Sequence, residues 1–148
     1  MRPGDLAPDF ELPDQDGVPR ALSGFLEQGP VVLFFYPMAF TPGCTRESCH
    51  FRDLAAEFSA VGAQRVGISA DPVDKQRAFA DKHEFDYPLL SDVEGTVAAL
   101  FGVKRALPLL PNRRATFVIG TDRHILEVVT SELNMAKHAD RALDALRS

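Results

Sequence analysis

Cys44 and Cys49 are the only two thiols in a chain of 148 residues, and the residues before the first suit nucleophilic chemistry. The stretch Tyr36-Pro37-Met38-Ala39-Phe40-Thr41-Pro42-Gly43-Cys44 carries an apolar run into two prolines and a glycine, which sets Cys44 where a buried strand turns into a helix. In an α/β sheet that carboxyl edge is where ligand sites form. A helix N-terminus adds unpaired backbone N–H groups and about half a positive charge. Both favour an anion, and the thiolate is the nucleophilic form of cysteine. Thr41, three residues earlier, can cap the helix with its hydroxyl or donate that hydroxyl to the thiolate, and the two roles are compatible. Pro37 and Pro42 stop the strand and stiffen the turn. The plainest alternative for either cysteine is a small buried hydrophobe.

Cys49 lies five residues on. Along an intact helix that spacing is about 7.5 Å of rise and leaves the side chains roughly 140° apart. A disulfide needs Cα atoms within about 7 Å and β-carbons that face each other. An intact helix cannot hold this bond, so pairing of Cys44 with Cys49 requires the first turns to unwind. Zinc is a weak alternative. Cys44, Cys49 and His50 lack the usual ligand spacing, and a fourth ligand would have to come from His83, His124 or His138. A dithiol reductase of the Cys-x-x-Cys type would place its second cysteine at position 47, which is Glu47.

Composition narrows the rest. At 45% hydrophobic and 25% charged residues, the length fits one domain over residues 1–148 that folds without metal or disulfide staples. The net charge of −5 argues against a basic nucleic-acid-binding face. Pro3, Gly4 and Asp5 stand where a signal peptide would carry its apolar core. The longest strongly apolar run, Val31 to Tyr36, is far short of the ~20 residues of a membrane span. A cytoplasmic protein is expected, and there a disulfide is more often transient and catalytic than structural.

Periodicity supplies the elements that must position Cys44. Val31 to Tyr36 reads as a strand buried on both faces. Phe51, Leu54, Ala55 and Phe58 form one apolar stripe of a helix running from about residue 43 until Gly62 closes it. Val66 and Ile68 mark a second strand, and Asp71-Pro72 an N-cap and first helical residue of a helix reaching about His83. Tyr87 to Leu90 reads as a strand, Val93 to Phe101 as a helix, Ala115 to Ile119 and His124 to Thr130 as strands joined by a tight turn, and Ala136 to Leu146 as a closing helix. Asp9 to Ser23 suits an N-terminal hairpin. This order predicts an α/β fold, a mixed central sheet flanked by helices, thioredoxin-like in outline with an N-terminal β-hairpin extension.

The residues resemble a known family, the peroxiredoxins. Pro37, Thr41 and Cys44 fill the signature Pro-x-x-x-Thr/Ser-x-x-Cys. The longer string Thr41-Pro42-Gly43-Cys44-Thr45-x-Glu47-x-Cys49 is similar to the bacterioferritin-comigratory, or Q-type, branch. Likeness extends from Gly4-Asp5-x-Ala7-Pro8-Asp9-Phe10 through Leu90-Ser91-Asp92 to Arg114-Ala115-Thr116-Phe117-Val118-Ile119. The resemblance implies a thiol peroxidase without metal or organic cofactor. Cys44 would be peroxidatic and become a sulfenic acid, Cys49 would resolve it as an intramolecular disulfide, and thioredoxin or glutaredoxin would restore both thiols. It also implies that Thr41, Arg114 and the amides of Gly43 and Cys44 stabilise the developing charge, that Glu47 orients Arg114, and that Pro37 shields the thiolate. Arg113 competes with Arg114 for its role, and Arg46 is expected to face solvent. Met38-Ala39-Phe40 is apolar where the branch often carries charge, a rim suited to alkyl hydroperoxides or to a subunit contact. Gly120 stands where an acidic residue is common.

Two other functions use the same cysteines. One is a redox-sensing interaction protein in which oxidation opens the Cys44 helix, and the other is a thioredoxin-like reductase. The expected partners of the peroxidase are a peroxide and thioredoxin or glutaredoxin, with neither nucleic acid nor membrane, acting as a monomer or weak homodimer.

Overall fold

The computed structural model describes residues 1–104, 112–131 and 134–147. Val31–Phe35 forms the strand β3 at the centre of a five-stranded sheet ordered β5-β4-β3-β6-β7. Its neighbours are β4 (Gln64–Ser69), parallel to it, and β6 (Ala115–Ile119), antiparallel. Beyond them lie β5 (Leu89–Ser91), parallel to β4, and β7 (Ile125–Thr130), antiparallel to β6. The mixed sheet, its parallel half and its terminal hairpin follow the sequence expectation. The N-terminal hairpin is present as β1 (Glu11–Pro13) and β2 (Pro19–Ala21).

The alternation along β3 divides the core. Val31, Leu33 and Phe35 pack with Phe101, Phe117 and Ile119 on one face, beside the short helices α1 (Leu22–Leu26) and α5 (Thr96–Leu100). Val32, Phe34 and Tyr36 pack with Cys44, Phe51, Phe58 and Phe79 on the other. That second face is covered by α2 (Pro42–Asp53), α3 (Ala55–Ala60), α4 (Val73–His83) and α6 (Met135–Arg147). Phe34 stacks on Phe51 with ring centroids 4.1 Å apart, which fixes α2 against the central strand. Among the described residues no helix is long and apolar enough to cross a membrane.

Several boundaries differ from the sequence reading, each for a local reason. The single helix expected from 43 to 62 breaks at Leu54. The Arg65 guanidinium donates to the Phe51 carbonyl at 2.9 Å, taking the acceptor that residue 55 would use in an unbroken helix. Asp71 does not cap α4. Pro72 is the N-cap residue, and the Asp71 carboxylate is committed elsewhere. The helix expected from Val93 starts at Thr96, because Asp92 turns the chain and accepts the Val97 and Ala98 amides at 3.2 and 2.9 Å. β5 starts at Leu89 rather than Tyr87, since Pro88 has no N–H for the ladder. The short helix α1 has no counterpart in the periodicity.

Gly67 on β4 measures how tightly the site face is packed. A Cβ there would lie 2.8 Å from Leu89 Cδ2, 3.0 Å from Phe34 and 3.2 Å from Tyr36, all fully buried side chains. Gly67→Ala is expected to destabilise the fold by about 1–3 kcal/mol through overpacking, read as a lower urea midpoint at unchanged slope.

Candidate active site

The loop from β3 to α2 is held from below. Pro37 follows the strand, and the Ala39 amide donates to Asp71 Oδ2 at 2.7 Å. Ser69 donates its hydroxyl to the same oxygen at 2.6 Å, and Lys75 Nζ lies 3.2 Å from Asp71 Oδ1. Gln76 ties Ser69 to the Leu90 carbonyl by donating to both, at 2.9 and 2.8 Å. The loop needs this anchor because Phe40 is in the left-handed region at φ 67°, a costly conformation for a residue with a Cβ. Its ring rests on Phe79 at 5.1 Å.

Thr41 is the N-cap residue of α2 by position, yet its hydroxyl caps nothing. It donates to the Met38 carbonyl at 2.7 Å, a correction to both uses expected from sequence, capping the helix and donating to the thiolate. Pro42 occupies the first helical position. The first i→i−4 bond of this turn is Thr45 N–H to the Thr41 carbonyl at 2.9 Å, so the Gly43 and Cys44 amides lie outside the ladder. No acidic residue stands in the first turn. The positive end of the helix is therefore undiluted at Cys44, whose side chain is fully buried.

Arg114 closes the site from the start of β6. Its Nη2 donates to Cys44 Sγ at 3.2 Å, and its Nη1 donates to Glu47 Oε1 at 2.6 Å. Glu47 is fully buried and Arg114 is 6% exposed, whereas Arg113 beside it is exposed. Of the two arginines, burial selects Arg114 for the thiol. Burial alone would lower the Arg114 pKa, but the charges of Glu47 and Cys44 outweigh it and raise it above the ordinary value, so the guanidinium stays cationic. A Cβ on Gly43 would sit 3.2 Å from Arg114 Nη2, which shows how closely the guanidinium crosses the helix start.

Cys49 lies on the same unbroken helix as Cys44, half-buried, and both thiols are free. It faces a shallow pocket with Phe40, Pro42, Arg46 and His50, so the two sulfurs leave α2 on different sides. Burial pushes the Cys49 thiol up from its ordinary pKa, against the pull of nearby Arg52. Arg46 is exposed, as expected, and so are Met38 and Phe40 at 44% and 41%. Pro37 is half-buried in the loop. Cys44, Glu47 and Arg114 are brought into one contact group. Thr41 and Pro37 stand on the loop leading into it, and Cys49 stands apart.

Two features escaped the sequence reading. Asp71 looked like a helix cap because Asp-Pro is a common helix entry, and only the tertiary fold brings it under Ala39. His138 entered only as a remote zinc ligand. It is fully buried, with Nδ1 2.8 Å from Thr116 Oγ1 and 3.5 Å from Glu47 Oε2. Among the described residues no group of three or more His, Cys, Asp or Glu side chains is placed to hold a metal.

A buried thiol in the first turn of a helix and facing a fixed guanidinium can attack an electrophilic oxygen while the guanidinium meets the charge. Comparison with known proteins gives that chemistry its context. Residues 3–128 match the AhpC/TSA family. The chain belongs to this family. The crystal structure of peroxidoxin BcpB from Mycobacterium tuberculosis superposes with a TM-score of 0.97 at 64% identity, covering 99% of this chain and 97% of that one. Chloroplastic peroxiredoxin Q of Sedum lineare is 40% identical over 146 residues, 98% of this chain and 77% of the relative. A structure of the bacterioferritin comigratory protein of Xanthomonas campestris, studied for alkyl peroxide reduction, has a TM-score of 0.85 at 29% identity, covering 93% and 90% of the two chains. The fold is the thioredoxin-like fold of the peroxiredoxins, and the protein is a Q-type peroxiredoxin and thiol-dependent peroxidase.

The loop anchor is open to direct test. Asp71→Ala orphans the buried Ala39 amide and Ser69 hydroxyl, and it is expected to lower stability by about 1–3 kcal/mol, read by urea unfolding. An unchanged midpoint would mean that Asp71 does not hold the loop.

Proposed function

We propose that Cys44 is the peroxidatic cysteine and Cys49 the resolving cysteine of an intramolecular cycle. The observation that carries this reading is the Arg114 fork, with Nη2 on Cys44 Sγ at 3.2 Å and Nη1 on Glu47 at 2.6 Å. The Cys44 thiolate attacks the terminal peroxide oxygen and the O–O bond breaks. The leaving oxygen takes a proton and departs as water or an alcohol, and Cys44 is left as sulfenic acid. Arg114 and the Gly43 and Cys44 amides meet the charge that moves from sulfur to the leaving oxygen. Thr41, its proton committed to Met38, presents its oxygen as acceptor for the peroxide O–H. Pro37 limits water at the sulfur, and Glu47 orients Arg114.

Cys49 then attacks the Cys44 sulfur, the sulfenic oxygen leaves as water, and a disulfide forms. Both cysteines lie on one continuous helix, so the first turns of α2 unwind for this step. A dithiol donor, thioredoxin or glutaredoxin, takes up the oxidation by thiol–disulfide exchange. The cycle closes within one chain, so a monomer or weak homodimer suffices. Thiols that must return to the reduced state at each turnover suit the cytoplasm. The exposed Met38 and Phe40 suit organic hydroperoxides alongside hydrogen peroxide.

With thioredoxin, thioredoxin reductase and NADPH, peroxide-dependent NADPH consumption is expected from the wild type and none above background from Cys44→Ser. Cys49→Ser should accumulate one sulfenic acid per chain but fail to cycle, and unchanged cycling would remove Cys49 from the mechanism. Intact mass after one equivalent of peroxide should fall by about two units in a monomer, the two hydrogens lost on disulfide formation. A mixed disulfide trapped on one protein partner together with slow turnover would instead favour the redox sensor.

Arg114→Lys keeps the charge but loses the planar fork that reaches sulfur and carboxylate together. Its rate with hydrogen peroxide is expected to fall about 100-fold, measured by competition against a peroxidase of known rate. A variant that reacts as fast as wild type would mean that charge alone, without the fork, is enough.

A further inference from the structure

His138 stands on the far side of Glu47 from Arg114. It lies in the first turn of α6, which Asn134 opens by accepting the Lys137 amide at 3.2 Å. The ring is fully buried and touches three other parts of the fold. Nε2 lies 2.8 Å from the Ser131 carbonyl, and a carbonyl oxygen only accepts, so Nε2 carries a hydrogen and donates it. That leaves Nδ1 to face Thr116 Oγ1 at 2.8 Å and Glu47 Oε2 at 3.5 Å. The carboxylate thus has one oxygen on Arg114 and the other beside His138. Arg114 bonds one side of the carboxylate, and the buried ring from α6 backs the other.

We propose that His138 is a positioning residue for the peroxidase reaction, acting through Glu47 and Arg114 on Cys44. The physical reason is geometric. A carboxylate gripped at one oxygen can rotate about its Cβ–Cγ and Cγ–Cδ bonds, and Arg114 would follow it away from the sulfur. With the buried ring packed 3.5 Å behind Oε2, the carboxylate cannot swing back, and Glu47 keeps the guanidinium in the orientation that spans carboxylate and sulfur. Thr116 shares the Nδ1 contact and keeps the ring from turning, and Ser131 fixes its tilt. The inference rests on the reading of Cys44 as the peroxidatic residue.

Two amide variants separate positioning from mere packing. In His138→Gln the side-chain amide takes the place of Nε2, keeping the Ser131 bond and giving up the contact with Glu47. In His138→Asn the amide takes the place of Nδ1, keeping the contact with Glu47 and giving up Ser131. In a Cys49→Ser background, the rate of Cys44 with hydrogen peroxide is expected to fall about 10- to 100-fold in His138→Gln and to stay near wild type in His138→Asn. The rate of Cys44 alkylation at neutral pH should fall in His138→Gln alone, because a displaced Arg114 no longer meets the sulfur. Unfolding midpoints measured beside them show whether rate follows stability. A His138→Gln variant with wild-type peroxide and alkylation rates, or two variants whose rates fall only in step with stability, would overturn the inference. A wild-type Cys44 that does not react with peroxide overturns the peroxidatic assignment itself, and this inference with it.

Discussion

The site depends on keeping one guanidinium cationic inside the protein. Moving an ion out of water costs several kcal/mol, and only good geometry with further hydrogen bonds offsets it. Arg114 meets that condition with two acceptors of different kinds, a buried carboxylate and a sulfur. Each depends on the other. Glu47 without Arg114 is a buried charge beside a histidine, and Cys44 without Arg114 is a buried thiol with only helix amides to favour its ionised form. The fold serves this triangle. β6 brings in Arg114, α2 carries both Cys44 and Glu47 one turn apart, and α6 packs across α2 and β6 to bring in His138.

The same helix has a second demand placed on it. In the proposed cycle α2 must be ordered for the first oxidation and open for the second step, and the contacts along it are unequal. Towards its end it is fastened to the sheet layer. Phe51 stacks on Phe34, Arg65 bonds the Phe51 carbonyl, and the buried Tyr87 hydroxyl donates to the Ser48 carbonyl at 2.6 Å. The segment before Ser48 carries Gly43 inside the helix, which lowers its helix propensity. The Arg114 fork ties that first turn to the start of β6. In the proposed cycle, oxidation converts the Cys44 sulfur that the fork grips into a sulfenic acid, so the chemical step changes the contact that opposes unwinding.

Legibility followed sequence distance. Thr41, Cys44, Glu47 and Cys49 lie within nine positions, and the strand-to-helix punctuation around them is local, so the two cysteines could be read as candidates directly. Glu47 was reached through resemblance, and the uses expected of Thr41 are replaced by its bond to Met38. Arg114 is 70 residues from Cys44 and was reached only through resemblance, and its neighbour Arg113 is separated from it by burial alone. Asp71 was misread because its local pattern fits a helix cap equally well. Its use by Ala39 exists only once β3 and β4 lie side by side. The break at Leu54 has the same origin, since no proline or glycine marks it and the cause is Arg65 from β4. His138 carries no local signal. A histidine amid apolar residues on an amphipathic helix is read from sequence as a core residue or a stray ligand, and its partners come from three different elements.

In the proposed cycle, the inequality between the two thiols gives the order of the steps. Burial raises the Cys49 pKa, so in the folded helix Cys49 stays a thiol and competes poorly for peroxide. Cys44 sits at the helix start with its sulfur on Arg114, a fixed donor. When the first turns unwind, Cys49 leaves the environment that suppresses its ionisation, and it becomes a better nucleophile just as the sulfenic acid becomes reachable. Had both thiols been activated in the folded state, peroxide would oxidise either one, and the chains oxidised at Cys49 would hold their sulfenic acid away from the Arg114 donors. One helix therefore stores both the activation of the first thiol and the restraint of the second, and its opening exchanges them.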